Sequence, residues 1–106
     1  MFLEQRPVSR KTPLDGMLEV SPAAAARLAT LGDEVPLATA GREASGRVRS
    51  LACTCAKGAG GSHVHHFVES PALKALAPGT EVRVELDEER SAVRVEPAPW
   101  GPVSEP

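Results

Sequence analysis

The chain has 106 residues, the length of one domain with a modest core. Hydrophobic residues make up 42%, yet the aromatics are only Phe2, Phe67 and Trp100, so the core is expected to be built from Val, Leu and Ala. Twelve basic and fourteen acidic side chains with no basic block argue against a nucleic-acid or anionic-membrane partner, and the absence of a long apolar run argues for a cytoplasmic protein.

Residues 1–13, "MFLEQRPVSRKTP", carry two prolines and three basic side chains without apolar periodicity, and they predict a flexible N-terminal arm. "DGMLEV" reads as a turn into a short strand. "SPAAAARLATLG" has the grammar of a helix: Ser21 as N-cap, Pro22 at the first helical position, an alanine run and Gly32 at the stop. Its Leu28 and Leu31, with Ala24, Ala25 and Val20, make one apolar face for packing.

"EVPLATA" suggests an edge strand, because Pro36 cannot donate to a ladder. "GREASGRVRSLACTC" has turn residues first and then a strand over 47–55. "SPALKALAPG" repeats the helix grammar, with Ser70, Pro71 and a Pro78-Gly79 stop. In "TEVRVELDEERSAVRVEP" the alternation of Val82, Val84 and Leu86 with Glu81, Arg83 and Glu85 reverses near "EERS". Placing Leu86 opposite Val93 sets Glu85 against Arg94 and Arg83 against Glu96, which makes a well-specified hairpin. "APWGPVSEP" is a proline-rich tail in which Trp100 is expected to cover apolar surface. The fold class is therefore α+β: a β-rich single domain over 14–97, with two antiparallel hairpins and two short helices. Residues 98–106 form the C-terminal tail, and neither end is expected to add to stability.

The chemistry is concentrated in "LACTCAKGAGGSHVHHF", which holds both cysteines and all three histidines. A disulfide between Cys53 and Cys55 would close a strained ring. Its glycine-rich loop can return the chain on itself. A register with Cys55 opposite His63 puts Cys53 opposite His65, Leu51 opposite Phe67 and Arg49 opposite Glu69. Strand alternation then places Cys53, Cys55, His63 and His65 on one face, with His66 on the other beside Val64 and Val68. Opposed β-carbons lie roughly 5 Å apart. Thiolate and imidazole arms can converge from there on an ion held at about 2.0–2.3 Å. Two soft sulfurs with two imidazoles suit zinc or an iron–sulfur cluster, and suit magnesium or calcium poorly. The alternatives are a structural zinc site in a small interaction module, or a metal-free domain whose thiols are small buried residues and whose histidines end a solvated strand. Lys57 is expected to be a loop residue in solvent. No catalytic group is assigned: a cysteine–histidine nucleophile needs a pocket and an orienting third group, "GAGG" lacks the grammar of a phosphate loop, and the carboxylates are scattered.

Three patches carry a family resemblance: "LEVSPAAAARLATL", "GRVRSLACTC" and "FVESPALKALAPGTEVRVELDEERSAVRVEPAP". Together they resemble the HesB-like, A-type iron–sulfur carrier family, whose opening strand and helix, strand to a first cysteine, and late helix and strands they parallel in that order. The resemblance implies a cluster-assembly or carrier role, an apo-protein or cluster-assembly partner, and Cys53 or Cys55 as counterpart of the family's first ligand. A homodimer is one arrangement open to it. The family's late Cys-Gly-Cys pair would fall near "PAPWGPVSEP", which has no cysteine, and the segment after the first cysteine is shorter and carries the histidines.

Overall fold

A computed structural model of the chain describes residues 1–53 and 63–98. It is a β-rich single domain with a seven-stranded mixed sheet, nearly barrel-shaped, and two short helices. The elements run β1 (Phe2–Pro7), α1 (Lys11–Asp15), β2 (Met17–Val20), α2 (Pro22–Ala29), β3 (Val35–Thr39), β4 (Arg42–Cys53), β5 (His63–Glu69), a 3₁₀ turn (Pro71–Ala75), β6 (Glu81–Asp87) and β7 (Ala92–Pro97). Spatially the strands are ordered β1-β6-β7-β3-β4-β5-β2, and only β3 and β7 pair in parallel.

The locally strongest signals give the expected elements. Ser21 caps α2 through its Oγ, which accepts from the Ala24 amide at 3.1 Å, and Ala24, Ala25 and Leu28 form the buried face. The β6–β7 ladder takes the register set by its alternation: Leu86 opposite Val93, Glu85 opposite Arg94 and Arg83 opposite Glu96. The ion pairs nevertheless run along the strands, Arg83 to Glu85 at 3.3 Å and Arg94 to Glu96 at 3.8 Å. The core is aliphatic, with Leu18, Leu28, Leu37, Leu73, Val35, Val68, Val82, Val84, Val93 and Val95 all fully buried.

Four expectations are corrected. Residues 1–13 are not an arm. Residues 2–7 form β1 and pair with β6, Val8 is buried, and residues 11–15 form α1. The pairing surface that holds them is the outer edge of β6, which no local pattern in 1–13 announces. Second, β3 is interior to the sheet. Pro36 is tolerated because the β7 ladder begins only at Leu37. Third, "SPALKALAPG" makes a five-residue 3₁₀ turn, with Ser70 Oγ accepting from Ala72. Fourth, two isolated hairpins are too few. β3 and β4 also pair antiparallel through the two-residue turn Ala40-Gly41, both at positive φ (49° and 80°). That backbone suits a hairpin's twist, but alanine is an uncommon residue for it, so the turn carried no signal. The tail beyond Ala98, with Trp100, lies outside the described residues.

β4 serves two ladders in succession. Residues 42–46 pair with β3 and residues 47–53 pair with β5. The change falls at Gly46, where a β-carbon would sit 3.1 Å from the Glu69 carbonyl oxygen and 3.3 Å from a Leu37 methyl. A glycine there lets the strand turn a corner of the sheet.

At the two edges of the sheet, β1 and β2 are joined by side chains. Glu4 accepts from the Ser21 amide at 2.9 Å and from the Ser21 hydroxyl at 2.5 Å, while Arg6 Nε donates to the Glu19 carbonyl at 3.2 Å. Among the described residues, no helix is long and apolar enough to cross a membrane.

Two outcomes follow for stability. Deleting residues 1–8 removes a strand, the buried Val8 and the Glu4 and Arg6 contacts. Thermal melting should fall by more than about 10 °C, the shift that ~2 kcal/mol produces in a domain of this size. Thr39 Oγ1 is buried without a hydrogen-bond partner. Thr39→Val keeps the shape and removes the orphan hydroxyl, so chemical denaturation should find it unchanged or more stable by up to about 1 kcal/mol.

Candidate functional site

The cysteine and histidine segment lies where β4 and β5 pair. The ladder sets Arg47 opposite Glu69, Val48 opposite Val68, Arg49 opposite Phe67, Ser50 opposite His66, Leu51 opposite His65, Ala52 opposite Val64 and Cys53 opposite His63. This corrects the register expected from the sequence by two residues: Cys53 faces His63, not His65, and Leu51 faces His65, not Phe67. Cys55 and Lys57 lie outside the described residues.

The reason for the slip is on the other face of the sheet. Leu18, Val68 and Val48 form an apolar row across β2, β5 and β4, and Leu18 and Val68 are fully buried. Next to it Ser50 lies opposite His66, with Oγ 2.8 Å from Nδ1. The expected register would have put Ser50 against Val68 and dispersed that row. The Arg49–Glu69 pair that suggested it does form, at 3.3 Å, but diagonally across the ladder.

A two-residue shift leaves each side chain on its original face, because strand alternation has period two. By backbone position Cys53, His63 and His65 therefore share one face with Leu51, Arg49 and Phe67, and His66 belongs to the opposite face with Val64 and Val68. At this end of the ladder both faces are open: Leu51 on the donor face and Ala52 and Val64 on the other are exposed, and farther along Phe67 and Val68 are buried. The three donor positions span two successive rungs of the ladder. Directly opposed β-carbons lie roughly 5 Å apart and diagonal residues roughly 7–8 Å. Among the described residues, no three His, Cys, Asp or Glu side chains converge on a common point.

β2 adds a residue that sequence reasoning did not single out. Glu19 lies opposite Phe67, and its Oε2 is 2.7 Å from His65 Nδ1. Residues on either side of it, Leu18 and Val20, are buried in the core, and its own carbonyl takes the Arg6 hydrogen bond. Its backbone is therefore fixed on both sides. The only local hint was a lone carboxylate in the apolar "MLEV". Its partner could not be read, because β2 and β5 are far apart in the chain. Phe67, buried between these polar neighbours, has the Lys11 ammonium 5.7 Å from its ring centre.

At the far end of β4, between the Ala40-Gly41 turn and β7, is a shallow cleft of about 380 Å³. It is lined by Arg42, Arg90 and Arg94 with Glu43, Asp87 and Glu96. Cations and carboxylates balance there, and among the described residues no cysteine or histidine lines it.

No family model, curated protein or solved structure matches this chain.

The register has a direct check. Cross-strand proton contacts in NMR spectra should connect Leu51 with His65 and Arg49 with Phe67. Contacts joining Leu51 to Phe67 in their place would restore the alternative pairing.

Proposed function

We propose that the protein binds a metal ion or carries an iron–sulfur cluster on the outward face of the β4–β5 ladder, through Cys53, Cys55, His63 and His65. The observation that supports this most is the backbone placement of Cys53 directly opposite His63, with His65 next along the same face of the ladder. Thiolate and imidazole donors favour zinc-like ions and iron–sulfur centres over hard cations. A role in cluster assembly or carriage, handing its cargo to an apo-protein, is the form of this reading that agrees with the A-type carrier resemblance.

The position of the donors bears on the competing structural-zinc reading. The aliphatic core is built mainly on β2, α2, β3, β6, β7 and the 3₁₀ turn, and around the donors Leu51, Ala52 and Val64 are exposed. A small domain that needs a metal to fold gathers its core around that metal. Here the core is assembled elsewhere, which favours carriage on an open face.

Protein purified without air should be tested by elemental analysis and absorption spectroscopy, then titrated with zinc and ferrous iron. An iron–sulfur cluster gives coloured, oxygen-sensitive protein, and zinc gives colourless protein. Cys53→Ser or Cys55→Ser should abolish stoichiometric binding. His63→Ala or His65→Ala should weaken it substantially, and His66→Ala, on the opposite face, should leave it nearly unchanged. Binding should weaken on acidification, since thiolates and imidazoles take up protons in competition with the metal. The double Cys→Ser variant should melt close to the parent, because the core is complete without the site. Equal binding by that variant and the parent would end the proposal in favour of a metal-free domain.

A further inference from the structure

His65 is the donor whose side chain has a defined carboxylate partner, and that contact constrains its chemistry. An ionised carboxylate has no proton to give, so the 2.7 Å contact with Glu19 Oε2 requires His65 Nδ1 to carry the hydrogen. In the neutral ring the lone pair then resides on Nε2. The two nitrogens of an imidazole point to nearly opposite sides of the ring. β5 lies between β2 and β4, and Glu19 holds Nδ1 from the β2 side. Nε2, turned away from Glu19, is then the nitrogen a metal would take.

We infer that Glu19 is the positioning residue of the metal site: it holds the His65 ring and fixes its Nδ1–H tautomer, so that Nε2 is the nitrogen that ligates a soft divalent metal. The inference rests on the metal-binding reading above. Carboxylates placed behind a ligating imidazole set both its tautomer and its orientation. Other acids near this end of the sheet have different tasks, Glu69 pairing with Arg49 and Glu4 with Ser21 and Arg6. Glu19 is suited to the role because its neighbours Leu18 and Val20 anchor β2 in the core, and Arg6 holds its carbonyl. Its carboxylate is nearly half exposed, so replacing it leaves the packing intact.

Two measurements on the full chain test this. Long-range ¹H–¹⁵N spectra of the metal-free protein report which ring nitrogen of His65 carries hydrogen. The parent should show the Nδ1–H form, and Glu19→Ala should revert to the Nε2–H form that an unrestrained imidazole prefers. Titration with cobalt(II) and zinc(II) alone should find Glu19→Ala about 10–100-fold weaker than the parent. Glu19→Gln, whose amide oxygen still accepts from Nδ1, should keep the tautomer and fall between the two. Melting curves of all three should coincide within a few degrees. An Nε2–H ring in the parent overturns the inference, as does undiminished metal binding by Glu19→Ala. Failure of the parent to bind either ion overturns the metal-binding reading and this role together.

Discussion

The passage of β4 from one ladder to the other at Gly46 is the constraint on which the remaining architecture depends. β3 meets β4 only as far as Gly46, and β5 takes over from Arg47. At that point the chain comes so close to the Glu69 carbonyl and Leu37 that a β-carbon would need its neighbours to move. One strand thus belongs to two ladders, and the sheet turns through this corner to become nearly barrel-shaped. The same passage sets which residues face outward beyond the bend. Val48 packs toward the core with Val68, so Arg49 and Leu51 must point away. A one-residue slip would turn Leu51 and His65 to the other face and expose the Leu18–Val68–Val48 row, which burial of that row opposes.

A nearly closed sheet still leaves β1 and β2 as its two edges, and these are joined by polar side chains where a ladder would otherwise run. Ser21 stands at the centre of the arrangement. Its hydroxyl accepts from the Ala24 amide as the cap of α2 and donates to Glu4 of β1. A helix cap is worth about 1 kcal/mol in isolation, and here the same hydroxyl also fastens the first strand. Arg6 completes the join by reaching the Glu19 carbonyl and lying 3.6 Å from the Glu4 carboxylate. The contact between β1 and β2 thus ends at the residue that holds His65, so the seam and the candidate site share one strand position.

What the sequence made legible follows from the range of the forces involved. The cap at Ser21, the proline at position 22 and the alternation of 81–96 are local, and the elements they announce appear with the expected boundaries or register. The N-terminal segment was misread because its stabilising partners, β6 and Ser21, lie elsewhere in the chain. Pro36 was misread because a missing amide matters only where a ladder asks for it. The central register is hidden for a different reason: the charges and donors of one face alone favour the alternative pairing. The inward face contributes burial of whole side chains, worth roughly 1.5–3 kcal/mol each, against at most about 1 kcal/mol for the exposed Arg49–Glu69 pair. The apolar row wins, and the ion pair adapts by reaching diagonally.

The error was an even number of residues, and this governs what remains of the site. Facing is preserved under a shift of two, whereas mates are exchanged, so the four-cornered arrangement becomes a graded one along the strands. Cys53 and His63 occupy the outermost described rung, and His65 the next rung inward, tied to Glu19 and through that residue to the core strand β2. Under the proposed reading the ligands therefore differ in how firmly they are prepared. One imidazole is then oriented before metal arrives, by a carboxylate whose strand is anchored in the core. A site assembled that way gains specificity from its fixed imidazole without making the fold depend on the metal. This division suits a protein that must stay folded both with its cargo and after giving it up.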